Sequence, residues 1–426
     1  MRKFLLFILI IAVIIAALIV YLKATTPVTS SGVRFPLTPL QHELLASVPA
    51  SAEAFALIPS AAAFHAKLLA NPITRGPMER WSVNQSLPRP WMMGGADLVV
   101  WRAGKQTSYA IRLDPLRAAV VRMYLMLGSG IDARVKAGTF LINAGAGQPL
   151  GTQRLDQMLA WVNGLESADA IIVQQAASRG AFPPIGRPTV TTLQIGADDI
   201  ELRSVGLLPP GEGGRRPDEG RPSPGASRHP LPEGEGTAIP RFPRGALISA
   251  IFREPPRVVG DLDRLLFARL SHLLDDGGSI VLYDVNAGTF LPRPDGLIIV
   301  KATPDNRKAV ERIRSAVETF GEIRESGGHI LLSFDRDSMK KYESETLIDA
   351  HWPSNDWAVR IDPKRTVPLL EKLADSTGLR LAASRVYRSA RDLRGWIEPL
   401  ANADSIEAAH LTTATSEELR VRIASK

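Results

Sequence analysis

Five apolar, strand-like runs in this 426-residue chain each end at a proline and give way to a helical pattern. The prolines are Pro59, Pro115, Pro255, Pro304 and Pro363. Proline suits the first position of a helix, because its missing N–H costs nothing there and its φ is preset. Asp114, Thr303 and Asp362 directly precede three of these prolines, where a side-chain oxygen can accept hydrogen bonds from free N–H groups. The pattern predicts repeated strand-to-helix connections and an α+β fold.

The order of these pieces recurs along the chain. Residues 40–208 and 244–426 both read strand, helix, strand, strand, helix, strand, with a further strand after them. This is the order of a ferredoxin-like, or split βαβ, domain. We therefore predict an internal duplication that gives two ferredoxin-like repeats with antiparallel or mixed sheets.

The ends of the two repeats also match in sequence. Trp161 stands opposite Trp396, and Ala168-Asp169 stand opposite Ala403-Asp404. The second repeat carries additional residues, Ser338–Ser384, with a strand–proline–helix unit of their own.

The N-terminus contains an uncharged apolar run, Phe4–Leu22. As a helix it would measure about 28 Å, close to the hydrocarbon thickness of a bilayer. We predict that 1–23 form a cytoplasmic tip and a transmembrane helix, followed by a polar stalk at 24–39. Arg2 and Lys3 precede the apolar run, so the positive-inside rule places the N-terminus in the cytoplasm and the body in the periplasm, anchored in the inner (cytoplasmic) membrane. The alternative is a cleaved signal peptide, although no A-x-A pattern precedes Ala24.

Between the repeats, 209–243 are rich in Gly, Pro, Arg and Glu and contain few large apolar residues. Such a composition cannot bury enough apolar surface to order itself, so we predict a disordered linker. Within it, "PSPGASRHPLPEGEG" resembles the translation of a bacterial intergenic palindromic repeat, which implies an insertion.

Motifs that carry chemistry are sparse. The chain has no cysteine, no P-loop and no G-x-S-x-G, and its seven histidines are scattered without metal-ligand spacing. Ser338 and Lys341 fit the S-x-x-K pattern of exported penicillin-interacting enzymes, but the companion K-T-G is missing. We predict no cofactor and no metal site, and we favour a polar helix start at Ser338.

One charge pattern is a candidate site. The arginines Arg385, Arg388, Arg391 and Arg394 recur every three residues and would form a basic stripe on a helix. They are candidates for contact with an anionic lipid, a glycan or an acidic protein, and the alternative is a solvated helix face. A formal net charge of +7 is modest for a chain of this length, so we predict no nucleic-acid partner.

The segment LLASVPASAEAFALIP, Leu44–Pro59, resembles the opening of single-pass envelope proteins of bacteria that have no assigned activity. The resemblance implies an exported, membrane-tethered, duplicated α+β body and transfers no catalytic residues. Our leading hypothesis is a non-catalytic, membrane-anchored module that binds a protein or an anionic envelope component. The alternatives are an exported hydrolase with unrecognised residues and a carrier of a hydrophobic ligand. An exposed apolar patch would favour the binding module, and a deep polar pocket would favour the hydrolase. A closed apolar cavity would favour the carrier of a hydrophobic ligand.

Overall fold

A computed structural model of the chain divides into two compact units, Met1–Leu207 and Leu208–Lys426. It describes residues 20–26, 32–33, 36–83, 90–104, 106–128, 133–136, 138–142, 150, 159–160, 168–175, 188–207, 241–253, 271–274, 277–286, 293–352, 356–375, 398–412 and 416–425.

Besides the helical residues 20–24, the first unit contains five helices whose bounds the structure describes and eight described strands. The helices are α1 (Pro39–Leu45), α2 (Ala61–Ala70), α3 (Pro72–Val83), α4 (Pro90–Met93) and α5 (Pro115–Gly128). The strands are β1 (Ala54–Ile58), β2 (Leu98–Ala103), β3 (Gln106–Arg112), β4 (Ala133–Lys136), β5 (Thr139–Ile142), β6 (Ala170–Gln174), β7 (Thr189–Ile195) and β8 (Asp199–Leu207). Within the unit they lie in the order β8-β7-β6-β1-β2-β3-β5-β4. Every one of these neighbouring pairs is antiparallel.

The second unit contains three described α-helices and ten described strands. The strands are β9 (Arg241–Pro243), β10 (Ile248–Phe252), β11 (Gly278–Asn286), β12 (Arg293–Lys301), β13 (Ile323–Ser326), β14 (His329–Ser333), β15 (Leu347–Asp349), β16 (Trp357–Ile361), β17 (Ser405–Thr412) and β18 (Ser416–Ala424). The helices are α6 (Pro304–Glu318), α7 (Ser338–Ser344) and α8 (Pro363–Asp375). Eight strands lie in the antiparallel order β18-β17-β16-β10-β11-β12-β14-β13, and β9 pairs with β15 separately.

The two eight-stranded arrangements have the same topology. Numbered from one to eight within its unit, each reads 8-7-6-1-2-3-5-4. The prediction of ferredoxin-like repeats is wrong, because in a split βαβ unit another strand separates the two strands that a helix connects. Here β1 and β2 are joined through helices but pair directly and antiparallel. The duplication itself stays a prediction, and the shared strand order is what a duplication would leave.

The strand order changes the equivalences that the sequence suggested. Asp169 precedes the sixth strand of its unit, whereas Asp404 precedes the seventh. The strand Trp357–Ile361 is the sixth strand of its unit and corresponds to β6, so it is not an additional one. The two aspartates resemble each other because each binds a helix lysine, Lys67 and Lys364, through an Nζ–Oδ1 distance of 2.6 Å.

The predicted helix starts are confirmed at three of the four described prolines. The exception is Pro59, after which Ser60 is the N-cap and α2 begins only at Ala61. Helices α5, α6 and α8 begin at Pro115, Pro304 and Pro363. The side chain of Thr303 accepts from Asn306 N at 3.2 Å, and Asp362 Oδ1 accepts from Arg365 N at the same distance. These bonds satisfy N–H groups that the first turn of a helix leaves free.

Two predicted segments fall largely outside the described residues. Residues 4–19 of the predicted transmembrane helix lie outside them, and no helix among the described residues is long and apolar enough to cross a membrane. Residues 208–240 of the linker also lie outside. At its end, Arg241–Pro243 form β9, and Phe242 is fully buried against Ala350, Ala358 and Ala409.

Candidate ligand groove

Helix α5 of the first unit starts at a charged cap. Asp114 Oδ1 accepts from Leu116 N at 3.1 Å and from Arg117 N at 2.9 Å, and Arg117 Nη1 lies 2.9 Å from Asp114 Oδ2. Burial acts to raise the pKa of Asp114, but the hydrogen bonds and charge of Arg117 and the Leu116 N–H outweigh it and lower the pKa. The start of α5 is therefore held by an ionised carboxylate.

The inner face of α5 packs on the sheet. Val120, Val121 and Leu125 are buried in one cluster with Phe140 and Ile142 of β5. Their spacing along the helix places them on one side, which is the usual pattern for a helix that covers a sheet.

A second face of α5 lines an open groove. Pro115, Ala118, Ala119, Arg122 and Met123 recur at spacings of three, one, three and one residues, which align along one stripe of a helix. The groove has a volume of about 670 Å³, within the range of small-ligand sites. Its other wall is formed by Leu113, Val135, Gly138 and Phe140.

The groove is apolar and exposes large side chains. Met123 is 47% exposed and Val135 is 49% exposed, and Leu116 on the adjoining turn is 40% exposed. Among the described lining residues, Arg122 alone is charged. Among the described residues no carboxylate pairs with it, whereas Arg117 is paired with Asp114.

The second unit has equivalent positions that the strand pairing identifies. Ile111 of β3 pairs with Phe140 of β5, and Val300 of β12 pairs with Ile330 of β14. Both helices begin three residues after the preceding strand ends, so Pro115 corresponds to Pro304.

The turns of the β4–β5 and β13–β14 hairpins can be aligned in the same register. Lys136 pairs with Thr139 in the first unit and Ser326 pairs with His329 in the second. Gly138 and Gly328 occupy the same turn position and have φ values of +81° and +76°. A glycine fits there because side chains disfavour a left-handed backbone. The equivalent of Val135 is therefore Glu325.

The equivalent face of the second unit is charged and bridged. The positions of Ala118, Ala119, Arg122 and Met123 are occupied there by Arg307, Lys308, Glu311 and Arg312. Across the same gap between helix and hairpin, Arg307 Nη2 lies 2.6 Å from Glu325 Oε1, and Arg307 Nε donates to Glu325 Oε2 at 3.1 Å. A two-bond ion pair thus joins α6 to β13 where Ala118 and Val135 leave the groove between α5 and β4.

The chain reaches α5 from its N-terminal side. Arg117 Nη2 donates to the Leu22 carbonyl at 3.3 Å and to Thr25 Oγ1 at 3.1 Å. Leu22 is completely buried in the cluster beneath α5. The end of the predicted apolar segment is therefore fixed to the helix that forms the groove.

The arginine stripe predicted as an anion contact lies elsewhere. Arg385, Arg388, Arg391 and Arg394 fall within 376–397, outside the described residues, as do Trp161 and Trp396. The stripe stays a prediction.

The S-x-x-K pair does not have the arrangement of a nucleophile and its base. Ser338 is fully buried, and its Oγ donates to Asp335 Oδ2. Asp335 Oδ1 also accepts from Ser338 N at 2.7 Å, so the contacts organise the start of α7. Lys341 Nζ instead lies 5.8 Å from the ring centre of Tyr283. Ser338 and Lys341, both among the described residues, form no hydrogen bond with each other.

One histidine–carboxylate pair is a structural contact at a strand end. His410 Nδ1 is 3.4 Å from Asp356 Oδ2, and its ring stacks on Trp357 at 5.5 Å. Burial acts to raise the pKa of Asp356, but hydrogen bonds from His410 and Thr412 outweigh it and lower the pKa. The described part of the chain holds no group of three or more metal-ligating side chains.

The groove was not foreseen from the sequence, although a signal was present. PLRAAVVRMYLML of α5 is apolar on several sides, whereas PDNRKAVERIRSAVE of α6 is strongly amphipathic. Aligning the two helices at their prolines would have exposed the contrast.

Comparison with known proteins finds no matching family model, no matching curated protein and no matching solved structure.

Proposed function

We propose that this protein is a non-catalytic binding module and that the groove between α5 and the β4–β5 hairpin is its ligand site. The supporting observation is the contrast between equivalent positions: Ala118 and Val135 leave a gap that Arg307 and Glu325 bridge in the second unit. Two versions of one topology thus differ in whether this face is open.

The lining defines the chemistry of the ligand. Apolar side chains supply nearly all of the groove, so an apolar or amphipathic group would be held by burial of its hydrocarbon. Acid–base catalysis needs a positioned proton donor and acceptor. The described lining residues offer only the Arg122 guanidinium, which has no acceptor atom, so they favour binding over hydrolysis.

The shape favours a surface binding site over an enclosed carrier. Met123 and Val135 are about half exposed, so a ligand in the groove would remain accessible from one side. An exposed apolar patch of this kind is typical of interaction sites. The proposed location, at the inner membrane with the body in the periplasm, rests on Phe4–Leu22 alone, and fractionation of cells tests it.

The test uses a dye that fluoresces in apolar surroundings, anilinonaphthalene sulfonate, titrated into the full chain. The decisive variant, Ala118→Arg with Val135→Glu, introduces the ion pair of the second unit into the first. We expect its dye affinity to fall at least about tenfold, since each methylene kept from burial costs about 0.8 kcal/mol.

A matched control shows that charge changes alone do not matter. Glu311→Ala with Arg314→Ala removes an exposed i, i+3 pair on α6, a helix of the other unit that contributes nothing to the lining of the groove. This variant should bind dye as the original chain does. Unchanged dye binding by the Ala118→Arg/Val135→Glu variant, with circular dichroism confirming that it is folded, would overturn the proposal.

A further inference from the structure

We propose that the groove takes the acyl chain of an anionic phospholipid from the bilayer, with the headgroup phosphate on Arg122. This inference rests on the proposed function of the groove and names its ligand. Three observations support it.

The first observation is the charge at the groove. Arg122 has no carboxylate partner among the described residues, and none of the lining residues that the structure describes is acidic. Its equivalent in the second unit is Glu311, which pairs with Arg314 at 2.8 Å. An unpaired guanidinium beside an apolar surface matches an amphipathic anion, because it can bind two oxygens of a phosphate at once.

The second observation is where the apolar N-terminal segment ends. Residues 4–19 are uncharged and apolar in sequence, and the described chain starts at Val20. Val20 and Tyr21 are 66% and 55% exposed, and the next residue, Leu22, is buried beneath α5. The Arg117 bonds to Leu22 and Thr25 hold this junction against the first turns of the groove helix. A bilayer that received the apolar segment would therefore lie close to α5.

The third observation is the exposed apolar rim. Met123 and Val135 line the groove, Leu116 directly follows the lining residue Pro115, and each of the three is 40% or more exposed. Exposed apolar side chains with adjacent basic residues are the combination that binds anionic membrane surfaces. The second unit has Asp305, Arg312 and Glu325 at these three positions, so it lacks the combination.

The experiment reports on lipid at the groove rather than on attachment of the whole chain. The chain has no cysteine, so Leu116→Cys creates a single labelling site for a bimane fluorophore at the rim. The full chain is reconstituted into vesicles of phosphatidylcholine and phosphatidylglycerol, and bromine on the acyl chains of one lipid at a time quenches the fluorophore. Asp305→Cys, the equivalent position on α6, is the matched control.

We expect quenching at position 116 to be about fivefold more efficient when the anionic lipid carries the bromine, since one arginine near an anionic surface gives roughly that preference. Adding Arg122→Gln should remove the preference, and Arg122→Lys should retain most of it. Adding Ala118→Arg with Val135→Glu should remove the quenching by both lipids. Position 305 should show no lipid preference.

The outcomes separate the two proposals. Equal quenching by both lipids that ignores Arg122→Gln would overturn the headgroup assignment and leave an apolar groove. Absence of quenching at position 116, while the dye titration still depends on Ala118 and Val135, would overturn the lipid assignment alone. Failure of the dye titration would overturn both.

Discussion

The helix–hairpin faces of the two units share a framework and differ in what covers it. In both, a helix that begins at a proline packs on a β-hairpin whose turn glycine has a positive φ. Beneath α5 lie Phe140 and Ile142, and beneath α6 lie Ile330 and Leu332 at the same register positions. The inner packing is therefore alike in kind.

The outer faces diverge completely. On the outer side of α6, Arg307 pairs with Glu325, and Glu311 pairs with Arg314, whose own equivalent Leu125 belongs to the inner face of α5. The same side of α5 is covered by alanine, methionine and one arginine that pairs with no carboxylate of the described residues. The fold therefore does not require an open groove. The groove depends on a few substitutions on a surface that the fold can also close.

The largest expected effect concerns the shared inner packing. Leu332→Ala and Ile142→Ala each remove a buried side chain at equivalent positions, with exposures of 0% and 2%. We expect each to lower the free energy of unfolding by about 2–5 kcal/mol, because each leaves a cavity. Urea unfolding followed by circular dichroism measures both. A loss below about 1 kcal/mol for Ile142→Ala alone would show that α5 is not packed as α6 is.

The second-largest expected effect comes from opening the closed face of the second unit. Arg307→Ala with Glu325→Val gives the second unit the residues of the first at the bridging positions. We expect a second groove there, and therefore an increase in the number of bound dye molecules per chain by about one. Equilibrium titration at saturating protein and then at saturating dye measures the stoichiometry. An unchanged number would mean that Lys308, Glu311 and Arg312 keep that face closed without the bridge.

The two helix caps should respond differently to pH. Asp114→Ala and Thr303→Ala each remove a capping side chain and should each cost about 0.5–2 kcal/mol at pH 7. The pKa of Asp114 is lowered in the folded state, so its charged contribution is present above its unfolded pKa, near 4, and is lost as pH falls through the lower folded value.

Urea unfolding at pH 7 and at pH 3 tests this contrast. The cost of Asp114→Ala should shrink at the lower pH, because pH 3 lies below the unfolded pKa and part of the charged contribution is lost there. The cost of Thr303→Ala should stay constant, since a hydroxyl does not titrate in this range. An equal pH dependence of the two costs would argue against the ionised cap of α5.

The smallest expected effect is that of the bridging pair on stability. Arg307 and Glu325 are exposed, so Arg307→Gln should leave the melting temperature nearly unchanged. The hydrogen bond and charge of Arg307 lower the pKa of Glu325, so that pKa should rise to its ordinary value in the variant. Carboxyl NMR titration measures the change, and an unshifted Glu325 would show that the bridge does not form in solution.

The sequence predicted local structure, such as helix starts, better than it predicted which strands pair with each other. The residues Pro115, Pro304 and Pro363 mark helix starts because local sterics and capping decide them. The strand order depends on contacts far apart in sequence, so a ferredoxin-like order fitted the same string of elements equally well. The match of Asp169 with Asp404 gave a wrong alignment of the two repeats. Each of the two aspartates binds a helix lysine, but they precede strands that are not equivalent.

The site was harder to predict than the fold. Matching Thr139 to His329 already gives the correct hairpin register. The groove emerges only when Ala118 and Val135 are compared with Arg307 and Glu325 across that register. Small and apolar residues form no recognisable sequence motif. Their role in the groove becomes visible only when they are compared with the residues at the equivalent positions of the second unit.

The most direct test of the central claim is photocrosslinking with a fatty acid that carries a diazirine in its alkyl chain, followed by peptide mapping of the full chain. We expect adducts concentrated in 113–140 of the first unit and their loss in the Ala118→Arg/Val135→Glu variant. We expect no enrichment in the equivalent residues 302–330. Adducts spread equally over both stretches, or unaffected by the variant, would contradict the claim that the open face of α5 is the binding site.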